Sequence, residues 1–175
     1  MDQEVLEIAL KSDLLTKKAY SGCFCRDELP KIASNSVYLI NTSTKLDILG
    51  EHWTSIDTRY DGKVLWLCSY NTHPKDFNHI WQRICDTKRK LITFPRRLQA
   101  PNLTNCGVWT CFFIFMTSRG LTPQDMMEYY FEGQDIYKLN IWVTVVTRTL
   151  FHLKGGIKQL LYNSSFAAEQ EKLND

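Results

Sequence analysis

The segment LQAPNLTNCG, residues 98–107, places a cysteine and a glycine after a polar turn and before the apolar run VWTCFFIFM. Asn102, Thr104 and Asn105 are all good helix caps, which predicts that Cys106 lies in the first turn of a helix. Backbone N–H groups and the helix dipole favour negative charge there, and the thiolate is the nucleophilic form of cysteine. The pattern therefore indicates either a nucleophile for acyl transfer or a buried structural cysteine.

A thiol nucleophile needs a general base, which a histidine from elsewhere in the chain can supply. The sequence contains four histidines, His52, His73, His79 and His152. His52 follows a glycine and begins the predicted strand HWTSID, so a sheet would fix its position while its ring reaches a cleft. His79 falls on the polar side of a predicted helix, His73 precedes a proline, and His152 adjoins the terminal segment. We therefore select His52 as the candidate base.

The order of these segments resembles the adenovirus endopeptidase family of adenain-like cysteine proteases, especially its relatives in Polinton (Maverick) elements. The resemblance rests on the pair His52–Trp53 and on Gln99, seven residues before Cys106 and the following glycine. The upstream segments GCFCRDELP and YLINT add to it, so that it covers about residues 20–130. Four separated segments in the same order make this motif set specific.

The resemblance implies a papain-like fold and a role for each matching residue. Cys106 would be the nucleophile, His52 the general base, and Gln99 the side-chain donor of the oxyanion hole, with the backbone N–H of Cys106 as second donor. Loss of one such donor raises the reaction barrier by about 3 to 4 kcal/mol. Trp53 would form a wall of the cleft beside the imidazole, and it is equally suited to be a core residue on the sheet.

The sequence departs from the family where an acidic residue normally orients the histidine. The segment LWLCSYN has Cys68 in that position, and a thiol is a poor partner for an imidazole N–H. Asn71 or Ser69 are alternative acceptors, whereas Asp57 is not, because odd steps along a strand from His52 point to the opposite face. We therefore expect an active Cys–His dyad with a weak third member, or else a weakened relative of the family.

Strands and helices that would hold these residues can be read from hydrophobic periodicity. The opening helix is QEVLEIALKSDLL, and GCFCRDELPKI is a turn. The predicted strands are residues 36–42, 52–57, 63–70 and KLITFP, with YDGK as a hairpin. The predicted helices are residues 74–88, 106–116, TPQDMMEYYF and DIYKLNIWVTVVTRTLFHL. The expected fold class is α+β, with a central, mostly antiparallel sheet flanked by helices.

Length and composition favour one globular domain. The chain has 175 residues, of which 44% are hydrophobic and 23% charged, so we expect a single domain over residues 1–165 and a solvated tail over residues 166–175. The apolar runs are too short to span a membrane, and the acidic N-terminal segment is unlike a signal peptide. We therefore expect an intracellular, non-secreted protein, in the host cell nucleus or cytoplasm or packaged in a virion.

Cysteine usage and charge bear on cofactors. The six cysteines are expected to be reduced, and CFC lacks the second ligand pair of a zinc site, so we predict no metal. A net charge of +2 does not itself indicate nucleic-acid binding. A basic cluster could contact phosphates or form a solvated face; it consists of Lys88, Arg89, Lys90, Arg96 and Arg97. The resemblance adds DNA or an activating peptide as cofactors, although neither is required by a motif.

These observations predict a monomeric cysteine endopeptidase that cleaves viral precursor proteins after Gly-Gly or Gly-x, as in capsid maturation. The motif LKGG at residues 153–156 fits that preference, which predicts trimming after Gly156. One alternative is a protease that removes SUMO-like or ubiquitin-like modifiers, which also cuts after Gly-Gly. Another is a catalytically inactive binding protein with a protease fold, for which Cys68 is the main support.

Overall fold

A computed structural model describes residues 3–47 and 52–151. In chain order its elements are α1 (Gln3–Ser12), α2 (Leu14–Lys17), β1 (Tyr20–Cys25), β2 (Val37–Asn41), β3 (Trp53–Asp57), β4 (Lys63–Leu67), α3 (Asn78–Asp86), β5 (Lys90–Thr93), α4 (Cys106–Thr117), α5 (Pro123–Met126) and α6 (Ile136–Leu150). A 3-10 turn over Pro74–Asp76 precedes α3, and a π-helical turn over Met127–Phe131 follows α5. The predicted tail, His152 and the LKGG motif lie outside the described residues.

The five strands form one sheet in the order β1-β2-β3-β4-β5. The central pairs β2–β3 and β3–β4 are antiparallel, and the outer pairs β1–β2 and β4–β5 are parallel. The α+β class and the hairpin at YDGK are confirmed. The expectation of a mostly antiparallel sheet is wrong. The connections from β1 to β2 and from β4 to β5 are crossovers, the second of them through α3, and a crossover returns the chain as a parallel strand.

Three predicted boundaries differ from the structure. The segment from Gly22 is predicted as a turn, but it belongs to strand β1 as far as Cys25. This strand is a half-buried edge strand with an irregular register at Gly22, so its sequence shows no clear alternation. The strand predicted over residues 63–70 ends at Leu67, where the carbonyl of Cys68 accepts from the Asn71 N–H at 3.2 Å and turns the chain. The helix predicted over residues 74–88 divides into the 3-10 turn and α3.

Both faces of the sheet are covered, because successive side chains of a strand point to opposite sides. One face packs against α1 and α4 and consists mainly of Val37, Leu39, Leu65 and Leu67. The other packs against α3 and consists mainly of Tyr38, Ile40, Ile56, Val64, Trp66 and Cys68. Cys68 therefore lies just beyond the end of β4, on the side of the sheet that α3 covers.

Helix α4 is the central helix of the fold. Ten of its twelve residues are buried, which is typical of a helix enclosed on all sides rather than one with a solvent-facing stripe. It contacts β3, α1 and α6. No helix within residues 3–47 and 52–151 is long and apolar enough to cross a membrane. The buried helix thus fixes the start of the predicted nucleophile segment in the protein interior.

Helix α4 is joined to β3 at both of its ends. Near its start, Thr110 Oγ1 donates to the Trp53 carbonyl at 3.1 Å. Near its end, Arg59 donates to Ser118 Oγ at 2.7 Å while it pairs with the fully buried carboxylate of Asp57. Eleven helical steps span about 16 Å and four strand steps about 13 Å, so the two elements match in length. Cys106 is therefore held beside the first residue of β3.

Replacing Arg59 by leucine should lower the free energy of unfolding by about 3 to 5 kcal/mol, because it leaves the buried carboxylate of Asp57 without its partner. Urea denaturation measures the change. The matched control is Lys11→Ala, which breaks an exposed helix pair with Glu7 and should cost less than about 1 kcal/mol. Similar effects of the two substitutions would show that the Asp57–Arg59 pair does not fasten α4 to the sheet.

Candidate active site

Cys106 is the first residue of α4 and follows the N-cap residue Asn105, as the sequence predicts. Asn105 makes no side-chain bond to the helix; its Nδ2 donates instead to Thr144 Oγ1 of α6 at 3.2 Å. The Cys106 side chain is half-buried. The backbone N–H groups of Trp53, Gly107 and Cys106 itself donate toward its sulfur. The sulfur thus lies among N–H groups from both the helix start and β3.

The pKa of the Cys106 thiol is nevertheless raised above its ordinary value. Burial is the largest cause, and hydrogen bonds from the Trp53 and Gly107 backbone offset only part of it. Burial therefore opposes the ionisation that the start of a helix favours. The sequence indicates the favourable N–H groups, but it does not reveal how much water the surrounding apolar residues exclude.

His52 lies directly before β3 and is 8% exposed. Its Nε2 atom is 3.3 Å from the sulfur of Cys68, and its Nδ1 atom has no hydrogen-bond partner among the described residues. Burial, together with a smaller effect of the positive charge of Arg97, lowers the pKa of the imidazole to about 4. The imidazole is therefore neutral near pH 7, with one ring nitrogen paired to a thiol and the other unpaired.

Of the candidate orienting residues, the structure brings Cys68 rather than Asn71 against His52. Asn71 is exposed and has a left-handed backbone, with φ of 57°. The backbone N–H groups of Thr72, Tyr70 and Asn71 donate toward the Cys68 sulfur, although burial raises the pKa of this thiol overall. A cradle of N–H donors is suited to an anion. The position therefore fits a carboxylate better than the thiol that occupies it.

Gln99 is fully buried and makes three side-chain hydrogen bonds. Its Oε1 accepts from Ser69 Oγ at 2.6 Å, and its Nε2 donates to Tyr70 Oη at 3.0 Å and to the Leu103 carbonyl. Because a carbonyl can only accept, the orientation of the amide is fixed. Both amide hydrogens are thus engaged within the protein. In this arrangement neither amide hydrogen of Gln99 is free for an incoming carbonyl oxygen.

Tyr70 is the residue of the site that sequence reasoning missed. Its ring centroid is 4.6 Å from that of His52, and its Oη donates to the Leu103 carbonyl at 2.9 Å. Burial raises the pKa of its hydroxyl, and the neighbouring Cys106 adds to the shift. The consecutive residues 68, 69 and 70 therefore each contact His52 or Gln99. Only their position, at and directly after the place where the resembled family has an acidic residue, could have indicated these contacts.

Trp53 is half-buried and packs against the core cluster formed by α1, α4 and the neighbouring strands. This packing agrees with a core tryptophan on the sheet. Its backbone contributes directly to the site, because its N–H donates toward the Cys106 sulfur and its carbonyl accepts from Thr110. The interpretation of Trp53 as a cleft wall stays a prediction.

The basic run does not form one continuous surface. In the sheet register Lys90 of β5 lies opposite Lys63, the first residue of β4. The guanidinium of Arg97 lies over the ring of Tyr70, beyond the other end of β4. Arg89 donates to the Thr58 carbonyl at 2.8 Å and to a serine hydroxyl, and Arg96 donates to the carbonyl of Phe131 at 2.6 Å. Contact with nucleic acid stays a prediction, and the guanidinium groups of Arg89 and Arg96 are already engaged in the fold.

All six cysteines are free thiols. Within the described part of the chain, no group of three or more His, Cys, Asp or Glu side chains is arranged to hold a metal ion.

Alkylation of Cys106 by iodoacetamide at pH 7 should be slower than alkylation of the exposed Cys85, because burial keeps the Cys106 thiol protonated. Its rate should keep rising with pH past the point at which an ordinary cysteine is ionised. Peptide mapping by mass spectrometry measures each rate in the same sample. A Cys106 that reacts faster than Cys85 at pH 7, and loses this advantage in His52→Ala, would show that a thiolate is already present.

Comparison with known proteins adds no assignment: no protein-family model and no curated protein matches this sequence.

Proposed function

We propose that this protein is a cysteine protease in which Cys106 is the nucleophile and His52 the general base. The observation that carries the proposal is the seating of the start of α4 against the His52–Trp53 strand. The Cys106 sulfur there receives N–H groups from both elements, and His52 keeps one buried ring nitrogen without a partner among the described residues. A neutral imidazole with an open nitrogen is the form that accepts a proton.

In this mechanism the proton leaves the thiol as the sulfur attacks, rather than beforehand. The Cys106 sulfur bonds to the scissile carbonyl carbon while His52 takes the thiol proton, and negative charge develops on the carbonyl oxygen. The N–H groups of Cys106 and Gly107 stabilise that charge. Protonated His52 then gives its proton to the leaving amine, and water hydrolyses the resulting thioester with His52 again as base.

The arrangement of elements supports the adenain-like, papain-like reading of the fold. The cysteine begins a buried helix that packs on a sheet, the histidine precedes a strand of that sheet, and the orienting position follows the next strand. The resemblance noted from the sequence supplies the substrate class, which is Gly-Gly or Gly-x sites in viral precursor proteins. The neighbouring Gly107 adds no side chain beside the nucleophile.

A weakly catalytic or non-catalytic binding protein is the second candidate, and specific observations favour it. Cys68 stands where an acid would orient His52, and both amide hydrogens of Gln99 are engaged. The pKa of Cys106 is also raised. Each of these features lowers the expected turnover without changing which residues carry the reaction.

Cleavage of peptides with Gly-Gly before the scissile bond should fall at least about a thousandfold in Cys106→Ala, because no other group replaces the nucleophile. Cys85→Ala, which removes an exposed thiol, is the control and should cleave at the wild-type rate. A parallel series of modifier fusions distinguishes a precursor protease from a deconjugating one. Absence of turnover in the wild type, or turnover that survives Cys106→Ala, would contradict the proposed protease.

Replacing Cys68 by aspartate should raise kcat/KM about tenfold, because a carboxylate in the N–H cradle would orient the imidazole and stabilise its protonated form. In the wild type the acid limb of the pH profile should lie near pH 4, where the base becomes protonated. The carboxylate raises the pKa of His52, so this limb should move to higher pH in the variant. Cys68→Ala is the matched control.

The profile of kcat/KM against pH measures both effects. An aspartate variant no faster than the alanine variant, with an unmoved acid limb, would show that residue 68 does not orient His52.

A further inference from the structure

Arg97 is an exposed arginine whose guanidinium is held in place beside the candidate site. Its Nε donates to the Gln99 carbonyl at 2.7 Å, and its Cζ lies 4.4 Å from the centroid of the Tyr70 ring. A hydrogen bond from Arg97 also lowers the pKa of the Tyr70 hydroxyl, against a larger effect of burial. An exposed arginine normally samples many rotamers. This one is already ordered before any ligand arrives.

The charge of Arg97 acts on His52, the proposed general base. It adds to the effect of burial in lowering the pKa of His52. The Tyr70 hydroxyl feels both the thiol of Cys106 and the guanidinium of Arg97. The guanidinium therefore lies at the rim of the candidate site, within electrostatic reach of the proposed base.

No carboxylate of the described residues balances this charge. The ion pairs formed there join Lys11 to Glu7, Lys45 to Glu28, Arg59 to Asp57 and Arg119 to Asp13. Arg97 belongs to none of them, whereas its neighbour Arg96 is turned away to the Phe131 carbonyl. A fixed, exposed and uncompensated guanidinium beside the candidate site is arranged to receive an anionic group from a ligand.

We propose that Arg97 is a specificity-determining residue that binds a carboxylate of the substrate peptide close to the scissile bond. This inference rests on the proposed function, since it takes the site to bind peptides. The planar guanidinium matches a carboxylate through two parallel hydrogen bonds. A phosphate backbone is a poorer match, because nucleic-acid affinity depends on several cationic contacts at once, and the other arginines of the run are engaged elsewhere.

Peptide binding to the full-length Cys106→Ala protein tests this without requiring cleavage. One peptide set carries a single glutamate at successive positions around a Gly-Gly site, and a matched set carries glutamine. A further pair ends at Gly-Gly with a free or an amidated carboxyl group, which separates a side-chain carboxylate from a terminal one. Fluorescence anisotropy should give a Kd about fivefold lower for the best carboxylate peptide than for its neutral match.

Charge exchange identifies the residue responsible. The preference for the carboxylate should vanish in Arg97→Gln and turn into a preference for a lysine peptide in Arg97→Glu. Arg96→Gln is the matched control and should keep the wild-type preference, because that side chain faces the Phe131 carbonyl. The preference should also shrink at high salt, since an exposed ion pair is screened.

Three results would overturn the inference. The carboxylate preference could be absent, it could persist in Arg97→Gln, or no peptide could bind. Arg97-dependent binding of a single-stranded oligonucleotide without any effect of peptide carboxylates would also overturn it in favour of phosphate. If the wild type cleaves nothing but the Arg97-dependent preference is present, the protease proposal fails while this inference stands. If the wild type cleaves Gly-Gly peptides but shows no preference for a carboxylate, this inference fails while the protease proposal stands.

Discussion

The rest of the site depends on the attachment of helix α4 to strand β3 along the full length of both. One hydroxyl of α4 bonds the first carbonyl of β3, and Arg59 bridges the buried carboxylate at the end of β3 to the end of the helix. Since a buried helix cannot slide without breaking its packing, these two attachments determine where the helix begins. The position of Cys106 beside the His52–Trp53 strand is therefore a consequence of fold stability.

The same burial that positions the reactive groups also opposes their ionisation. It raises the pKa of the Cys106 thiol and lowers that of the His52 imidazole, so the resting pair is neutral. Such a pair exposes no charge to the low-dielectric interior, where charge is costly to maintain. In the proposed mechanism charge appears only as the reaction proceeds, and N–H groups from the helix start and from β3 lie around the sulfur.

Much of the architecture was predictable from the sequence, because it depends on local patterns. The caps before Cys106 predict helix α4, and the hairpin signal at YDGK predicts the central strands. The apolar periodicity predicts the α+β class. Strand β1 was missed because its alternation is irregular, and the parallel outer pairs depend on how the chain crosses over. The engagement of Gln99 by Tyr70 and the contact of Tyr70 with His52 join side chains that are 29 and 18 residues apart in the chain. The pattern of one segment does not reveal such contacts.

Helix α4 also determines where motion is available to the molecule. Because nearly all of its residues are buried, the hydrogen-bonded backbone amides beyond its first turn belong with the slowest-exchanging hydrogens of the protein. The proposed nucleophile is carried by the most persistent part of the fold. Any adjustment that admits a ligand must therefore come from the surrounding turns, such as the one after β4, while the sulfur stays where the helix holds it.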